Sequence, residues 1–251
     1  MASDRLPAMT VINLARSKDR LDGFRRRCRQ PAEAIPRLNG VEGQGLDLDA
    51  LEARGLLAPS ARGWPRGQLG CALSHIKALL RCQRSGAPLL IFEDDALFAP
   101  DWAQRLGPLL NKAPATWDLL LLGWNMDSCL QLEWGAGLTA TALFQPRHPD
   151  PATLEACLAS HSHSHGQAQW FRLYKALGLA GYVVSPAGAS RILSWCLPLR
   201  TLPIAAADLP ERPCFSLDGQ LNSLYPQLSA WVCVPPLVLG ANEKPLSLTA
   251  R

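Results

Sequence analysis

Residues 89–95 read Leu89-Leu90-Ile91-Phe92-Glu93-Asp94-Asp95. Four large apolar residues in a row suit a strand buried on both faces, the kind found in parallel sheets. The run then breaks into three consecutive carboxylates, which repel one another unless a positive charge sits among them. In open α/β sheets ligands bind in the crevice beyond the strand C-termini. Hard divalent cations such as Mg²⁺ and Mn²⁺ take oxygen ligands and commonly join one or two carboxylates to substrate phosphates. A metal-held diphosphate is therefore the first chemistry this run suggests. The plainer reading is that some of the acids cap the next helix or pair with a basic side chain.

Outward from this run, strand and helix patterns alternate. Residues 9–14 read as a first strand, 16–28 as a charged helix and 35–43 as a second strand. A short helix is expected over 48–55. Leu69, Ala72, Leu73, Ile76, Leu79 and Leu80 recur at helical spacing and predict an amphipathic helix over 69–84. After the acidic strand come a helix over 102–110 and a buried strand over 118–124. A further strand is expected over 177–184. Ser185-Pro186 supplies an N-cap and a first helical residue for a helix to about residue 196. This alternation argues for α/β architecture, a mainly parallel central sheet flanked by helices.

The 251 residues suit a single domain with a short leader over 1–8 and a tail over 240–251. Residues 125–169 dissolve into Gly, Thr, Pro, His and Ser, and read as a long functional loop or lid. Within it, His161, His163 and His165 alternate with serines. Such tracts bind metal opportunistically, but a flexible loop is the simpler reading.

Hydrophobic content of 48% against 18% charged residues excludes wholesale disorder. Of the basic residues, Arg16, Lys18, Arg20, Arg25, Arg26, Arg27 and Arg29 cluster early. That cluster suits peripheral contact with an anionic membrane, a nucleotide diphosphate, or merely a solvated helix face. No aromatic–basic interleaving accompanies it, so nucleic acid is not an expected partner. The eight cysteines show no two-residue spacing of a zinc knuckle or redox motif, and several have apolar neighbours. They read as reduced thiols of a cytoplasmic protein. No apolar stretch has the roughly 18 residues a membrane span needs.

Four segments, taken together and in order, resemble glycosyltransferase family 25, which includes lipopolysaccharide and collagen galactosyltransferases. They are Val11-Ile12-Asn13-Leu14 with Arg16, Asp19 and Arg20; Gly67-Gln68-Leu69-Gly70-Cys71-Ala72-Leu73-Ser74-His75; Glu93-Asp94-Asp95; and Gly181-Tyr182-Val183-Val184 with Gly188-Ala189. The resemblance implies a GT-A-type, Rossmann-like fold. It also implies inverting transfer of a hexose, galactose above others, from a UDP-sugar to a glycan or glycolipid acceptor such as lipopolysaccharide core. By the same resemblance Asn13, Leu14, Arg16, Arg20, Ser74, His75, Glu93 and Asp94 face the donor. Asp95 contacts Mn²⁺ or Mg²⁺, and Asp218 matches a late acidic position suited to the general base.

The residues themselves bear on these roles. Asn13 interrupts an apolar strand end and requires a polar partner. Arg16 and Arg20, one helical turn apart, can reach the same phosphate or uracil edge, or simply line an exposed face. Asp218 precedes Gly219 and fits an ordinary turn as well as a base. Asp118 reads as structural. Gln68 departs from the family, which usually carries Glu there. Two other classes stay open: a nucleotide-sugar-binding protein without catalysis, and a metal-dependent phosphohydrolase, whose chemistry also uses carboxylates at strand ends.

Overall fold

The computed structural model describes residues 6–163, 167–204 and 211–242. In chain order the elements begin with β1 (Ala8–Asn13), α1 (Lys18–Cys28), β2 (Arg37–Asn39) and α2 (Leu48–Ala53). The long helix α3 (Arg66–Ser85) leads into β3 (Leu89–Glu93), β4 (Ala96–Phe98), α4 (Trp102–Leu110) and β5 (Leu119–Leu121). Then come β6 (Cys129–Gly135), β7 (Leu138–Leu143), α5 (Pro151–His163) and β8 (Gln169–Ala176). The chain continues through β9 (Gly181–Val184), α6 (Pro186–Cys196), β10 (Leu202–Ile204) and β11 (Arg212–Cys214). It closes with α7 (Leu217–Leu224), β12 (Ala230–Val234) and β13 (Val238–Gly240).

A nine-stranded sheet in the order β2-β1-β3-β9-β5-β12-β8-β6-β7 forms the centre. β1 runs parallel to β2 and β3, and β12 parallel to β5. β9 lies antiparallel between β3 and β5, so those two strands point the same way. Beyond β12 the ladder continues antiparallel through β8, β6 and β7. The sheet is thus α/β with a parallel side and an antiparallel extension. Its mixed character follows from β9, which runs against both its neighbours, and from the antiparallel β8, β6 and β7.

Both faces are covered, which explains why β3 is apolar up to its last residue, Glu93. Leu89 and Ile91 pack with Leu69, Leu73, Ile76 and Leu79 of α3, Ile192 of α6 and Leu221 of α7. Leu90 and Phe92 face the other way, toward Phe24 of α1, Trp102 and Leu106 of α4, and Leu158 of α5. Strand geometry sends alternate side chains to opposite faces, so one pentapeptide stitches both layers. Ser185 caps α6 as its sequence suggests, its hydroxyl accepting from Gly188 N–H at 2.9 Å.

Several expectations shift. The second strand is only Arg37–Asn39, because residues 40–43 turn against α3. The stretch 125–169 is not one long loop: it builds the hairpin β6–β7 and the helix α5. His161 and His163 lie in the last turn of α5, and His165 lies outside the described residues. The chain after Gly240 is not wholly a tail, since Ala241 N–H donates to Asp95 O at 3.1 Å. Residues 243–251 and residues 1–5 fall outside the described residues. All eight cysteines are free thiols. Among the described residues no helix is long and apolar enough to cross a membrane.

Candidate functional site

The parallel strands β1 and β3 end side by side, Ile12 opposite Glu93. Asn13 and the three acids therefore emerge at one edge of the sheet. The antiparallel β9 begins at that same edge, bringing Gly178, Leu179 and Ala180 alongside. Together with the N-terminal turns of α3 and α7 they enclose a cleft of about 280 Å³. Asn13, Leu14, Arg20, Ser74, His75, Glu93, Asp94, Asp95 and Asp218 all line it. One edge of the sheet thus gathers residues spread over more than two hundred positions of the chain.

Two glycines allow the wall to close. A Cβ on Gly70 would stand 2.6 Å from Val41 O, and one on Gly43 would run into the carbonyl of Arg66. Without side chains there, the 41–43 turn lies directly on the start of α3. Ser74 fastens the same contact: its hydroxyl donates to Gly70 O at 2.6 Å and accepts from Val41 N–H at 2.8 Å. Ser74 is 2% exposed, so it holds the wall in place. As a result Gly67, Gln68 and Cys71 of the first turns of α3 face the cleft. A helix N-terminus presents unpaired N–H groups and a partial positive charge to whatever lies there.

The three acids have separate fates. Asp94 is almost fully buried and saturated by the protein. Asn13 Nδ2 donates to its Oδ2 at 2.7 Å, and Arg20 grips its Oδ1 with Nε at 2.9 Å and with Nη2. Arg27 adds bonds to the backbone carbonyls of Asp94 and Ala96 at 3.0 and 2.9 Å. Asp94 therefore anchors the loop by pairing with a basic residue. Burial opposes charge on Arg20, yet its bonds to Asp94 hold its pKa above the ordinary arginine value.

Glu93 turns the other way, its Oε1 2.9 Å from His75 Nε2. His75 is 1% exposed, and its Nδ1 lies 2.9 Å from Tyr182 Oη. One arrangement of protons satisfies this chain: the tyrosine hydroxyl donates to Nδ1, and Nε2–H donates to Glu93. Asp95 remains. Its Oδ1 is buried with no hydrogen-bond partner among the described residues, and Arg20 Nη2 is 3.7 Å from its Oδ2. Burial first, then the neighbouring Glu93 carboxylate, push the Asp95 carboxyl up to about 6 despite Arg20. An orphaned carboxylate oxygen in such surroundings fits a cation ligand. Asn13 Oδ1 is likewise buried without a partner, an acceptor left over after Nδ2 has bound Asp94 and Ser17.

Arg16 departs from expectation. It lies in the turn before α1, which begins only at Lys18, so the helical spacing to Arg20 does not hold. Its guanidinium makes a bidentate pair with Glu42 at 2.6 and 3.0 Å on the rim, and it does not line the cleft. Nor do the basic residues form one exposed face, since Arg20 and Arg27 turn inward. Asp218, in the first turn of α7, accepts from Gly178 N–H at 2.8 Å and Gly219 N–H at 2.9 Å. These bonds fix its direction within the cleft. Asp118 is buried and bound by Arg191 at 2.7 Å, a structural position.

The motifs leave unmarked Glu42, Asn125 and Asn242, which also line the cleft. Asn125 begins the stretch taken for a loop. The one local signal is Gly178, whose φ of +95° and close approach to the Asn125 side chain both require glycine.

Comparison with known proteins agrees with the cleft's motifs. A family model described as glycosyltransferase family 25 (LPS biosynthesis protein) matches residues 7–208. Procollagen galactosyltransferase 2 of Mus musculus is 30% identical over 124 residues, covering 45% of this chain and 20% of the relative. The same-named protein of Homo sapiens is 29% identical over 124 residues, with the same coverage. The inactive glycosyltransferase 25 family member 3 of Homo sapiens is 32% identical over 124 residues, covering 45% of this chain and 21% of the relative. The chain thus spans about a fifth of the length of the curated relatives it matches.

Proposed function

The chain belongs to glycosyltransferase family 25, and from that premise we propose that it transfers a hexose, galactose first among them, from a UDP-sugar to a hydroxyl of a saccharide acceptor, with inversion and with a divalent cation. The acceptor class is a glycan or glycolipid of the lipopolysaccharide-core kind. The observation that carries this reading is the cleft in which Asp95 keeps an unpartnered carboxylate oxygen beside the N-terminus of α3.

Mn²⁺ or Mg²⁺ would be held by Asp95, with Glu93 close by, and when bound would neutralise charge building on the departing diphosphate. The chain's own groups do the rest. The first N–H groups of α3 suit the phosphates. The free Oδ1 of Asn13 suits a nucleoside N–H donor. Arg20 grips Asp94 and holds it still, so that the loop presents Asp95 rigidly. His75 orients Glu93. Asp218, held by two backbone N–H groups, retains lone pairs for the acceptor hydroxyl and serves as its base. Arg16 and Ser74 touch the reaction only through the rim and the wall. Work at the cytoplasmic membrane face fits a glycolipid acceptor.

A second reading, binding of a nucleotide sugar without catalysis, is favoured by Gln68 in place of the usual Glu and by the inactive relatives. A donor screen by UDP release, with and without Mn²⁺, separates the two. Release that needs both UDP-galactose and metal supports transfer. Saturable UDP-galactose binding without release in any combination of metal and acceptor contradicts it.

A further inference from the structure

A second set of ligand atoms shares the cleft wall. Cys71 and His75 stand one turn apart on the same face of α3, and Glu93 ends β3 opposite them. The thiol sulfur, a ring nitrogen and a carboxylate oxygen of the three lie within 4.8 Å of one another. Asp95 offers only oxygen, which suits a hard cation. A thiolate, an imidazole and a carboxylate are instead the donors of Zn²⁺, which binds them tetrahedrally. Two ligands four residues apart on one helix face are a usual way of building such a site. The ring nitrogen not facing Glu93 is 2.9 Å from the buried Tyr182 hydroxyl, the kind of outer partner that orients a metal-bound imidazole. All three residues line the cleft, so a fourth position opens into it. Burial and then Glu93, Asp218, Asp95 and Asp94 disfavour a bare Cys71 thiolate. The same acids attract a dication placed there.

We propose that Cys71, His75 and Glu93 form a Zn²⁺ site with three protein ligands and one open position, and that zinc bound there blocks the cleft. Cys71 binds as thiolate, its proton passing to solvent. His75 binds through Nε2 with its ring proton on Nδ1, toward the Tyr182 oxygen. The blocking consequence rests on the donor-binding reading of the cleft, whereas zinc binding does not.

Titration of the whole chain with Zn²⁺ against a chromophoric chelator, and with Co²⁺ as a spectroscopic substitute, tests the site. One ion per chain and a sulfur-to-cobalt charge-transfer band are expected. Cys71→Ser should abolish the band and weaken Zn²⁺ at least tenfold, and Glu93→Gln should weaken it with the band retained. Cys157→Ser, a thiol on α5, should keep both, and Asp95→Asn, which removes a nearby charge but no proposed ligand, should keep the band. Circular dichroism of each variant separates loss of ligand from loss of fold. No band in the wild type, or a band that survives Cys71→Ser, overturns the site. Zinc affinity unchanged in Cys71→Ser does so too, and would place the ion on other ligands. Zn²⁺ should also stop Mn²⁺-dependent UDP release in proportion to occupancy. Bound zinc with undiminished release overturns the blocking step alone. A chain that releases no UDP in any condition fails the transferase reading, while the cobalt band still decides the zinc site.

Discussion

The cleft edge of the sheet and the hairpin β6–β7 with α5 are built on opposite terms. At the cleft β3 is buried as far as Glu93 and β9 throughout, and the acids come only where β3 ends, so each carboxylate has a defined task. On β7 all six residues of Leu138-Thr139-Ala140-Thr141-Ala142-Leu143 are exposed, and nothing pairs with its outer edge among the described residues. The exposed Trp134 stacks on Phe171 with ring centroids 5.9 Å apart, the main aromatic contact of the hairpin. Buried surroundings make a side chain's chemistry costly to alter, whereas exposed ones leave it nearly free.

The sharpest contrast uses two adjacent acids. Asp95→Asn should lower metal-dependent turnover at least about a hundredfold, the scale for losing one preorganised electrostatic contact, with circular dichroism unchanged. Arg20→Ala strips the buried Asp94 of its ion pair and should cost about 3 kcal/mol in denaturant unfolding. Arg16→Ala, a few residues earlier, breaks only the exposed pair with Glu42 and should cost less than about 1 kcal/mol. Equal losses for the two arginines would erase the distinction between wall and rim.

The pH dependence of stability sharpens the same point. Asp95 carries a folded pKa of about 6 against an ordinary 3.8. The folded state therefore holds the Asp95 proton more tightly than the unfolded state does. Its favourable contribution is complete below about pH 4 and lost as pH rises through about 6. In chelator, Asp95→Asn should be more stable than the wild type above that range, by up to about 3 kcal/mol. The gap should close as pH falls to 4, as followed by thermal unfolding. A gap independent of pH would mean that Asp95 does not titrate in this window. The smallest effect belongs to the hairpin: Trp134→Ala should cost no more than about 1 kcal/mol, the scale of an aromatic pair.

The same contrast decides what the sequence discloses. β3 and α3 are legible because burial imposes patterns: an unbroken apolar run for β3, and helical spacing from Leu69 to Leu79. The acids are conspicuous because they end such a run, and Ser185-Pro186 announces α6 through capping chemistry. α5 carries two buried leucines, Leu154 and Leu158, amid Ser, His and Ala. β7 buries no residue, so it lacks the alternation that marks a half-buried strand, and the whole stretch reads as a loop. That error also hid Asn125 on the cleft wall and His148, whose Nε2 lies 3.0 Å from Gly240 O beside it. The pairing of Arg20 with Asp94 depends on residues 74 positions apart, and local spacing instead joined Arg20 to Arg16. Tertiary pairing alone shows which of three adjacent carboxylates is left unsatisfied.

The central claim is that Asp95, alone of the trio in keeping a buried oxygen unpartnered, holds the cation that binds the donor diphosphate. UDP affinity measured by calorimetry with and without Mn²⁺, for wild type and Asp95→Asn, tests it most directly. Mn²⁺ should tighten UDP binding at least tenfold in the wild type and leave it unchanged in Asp95→Asn. Equal tightening in both proteins would contradict the account.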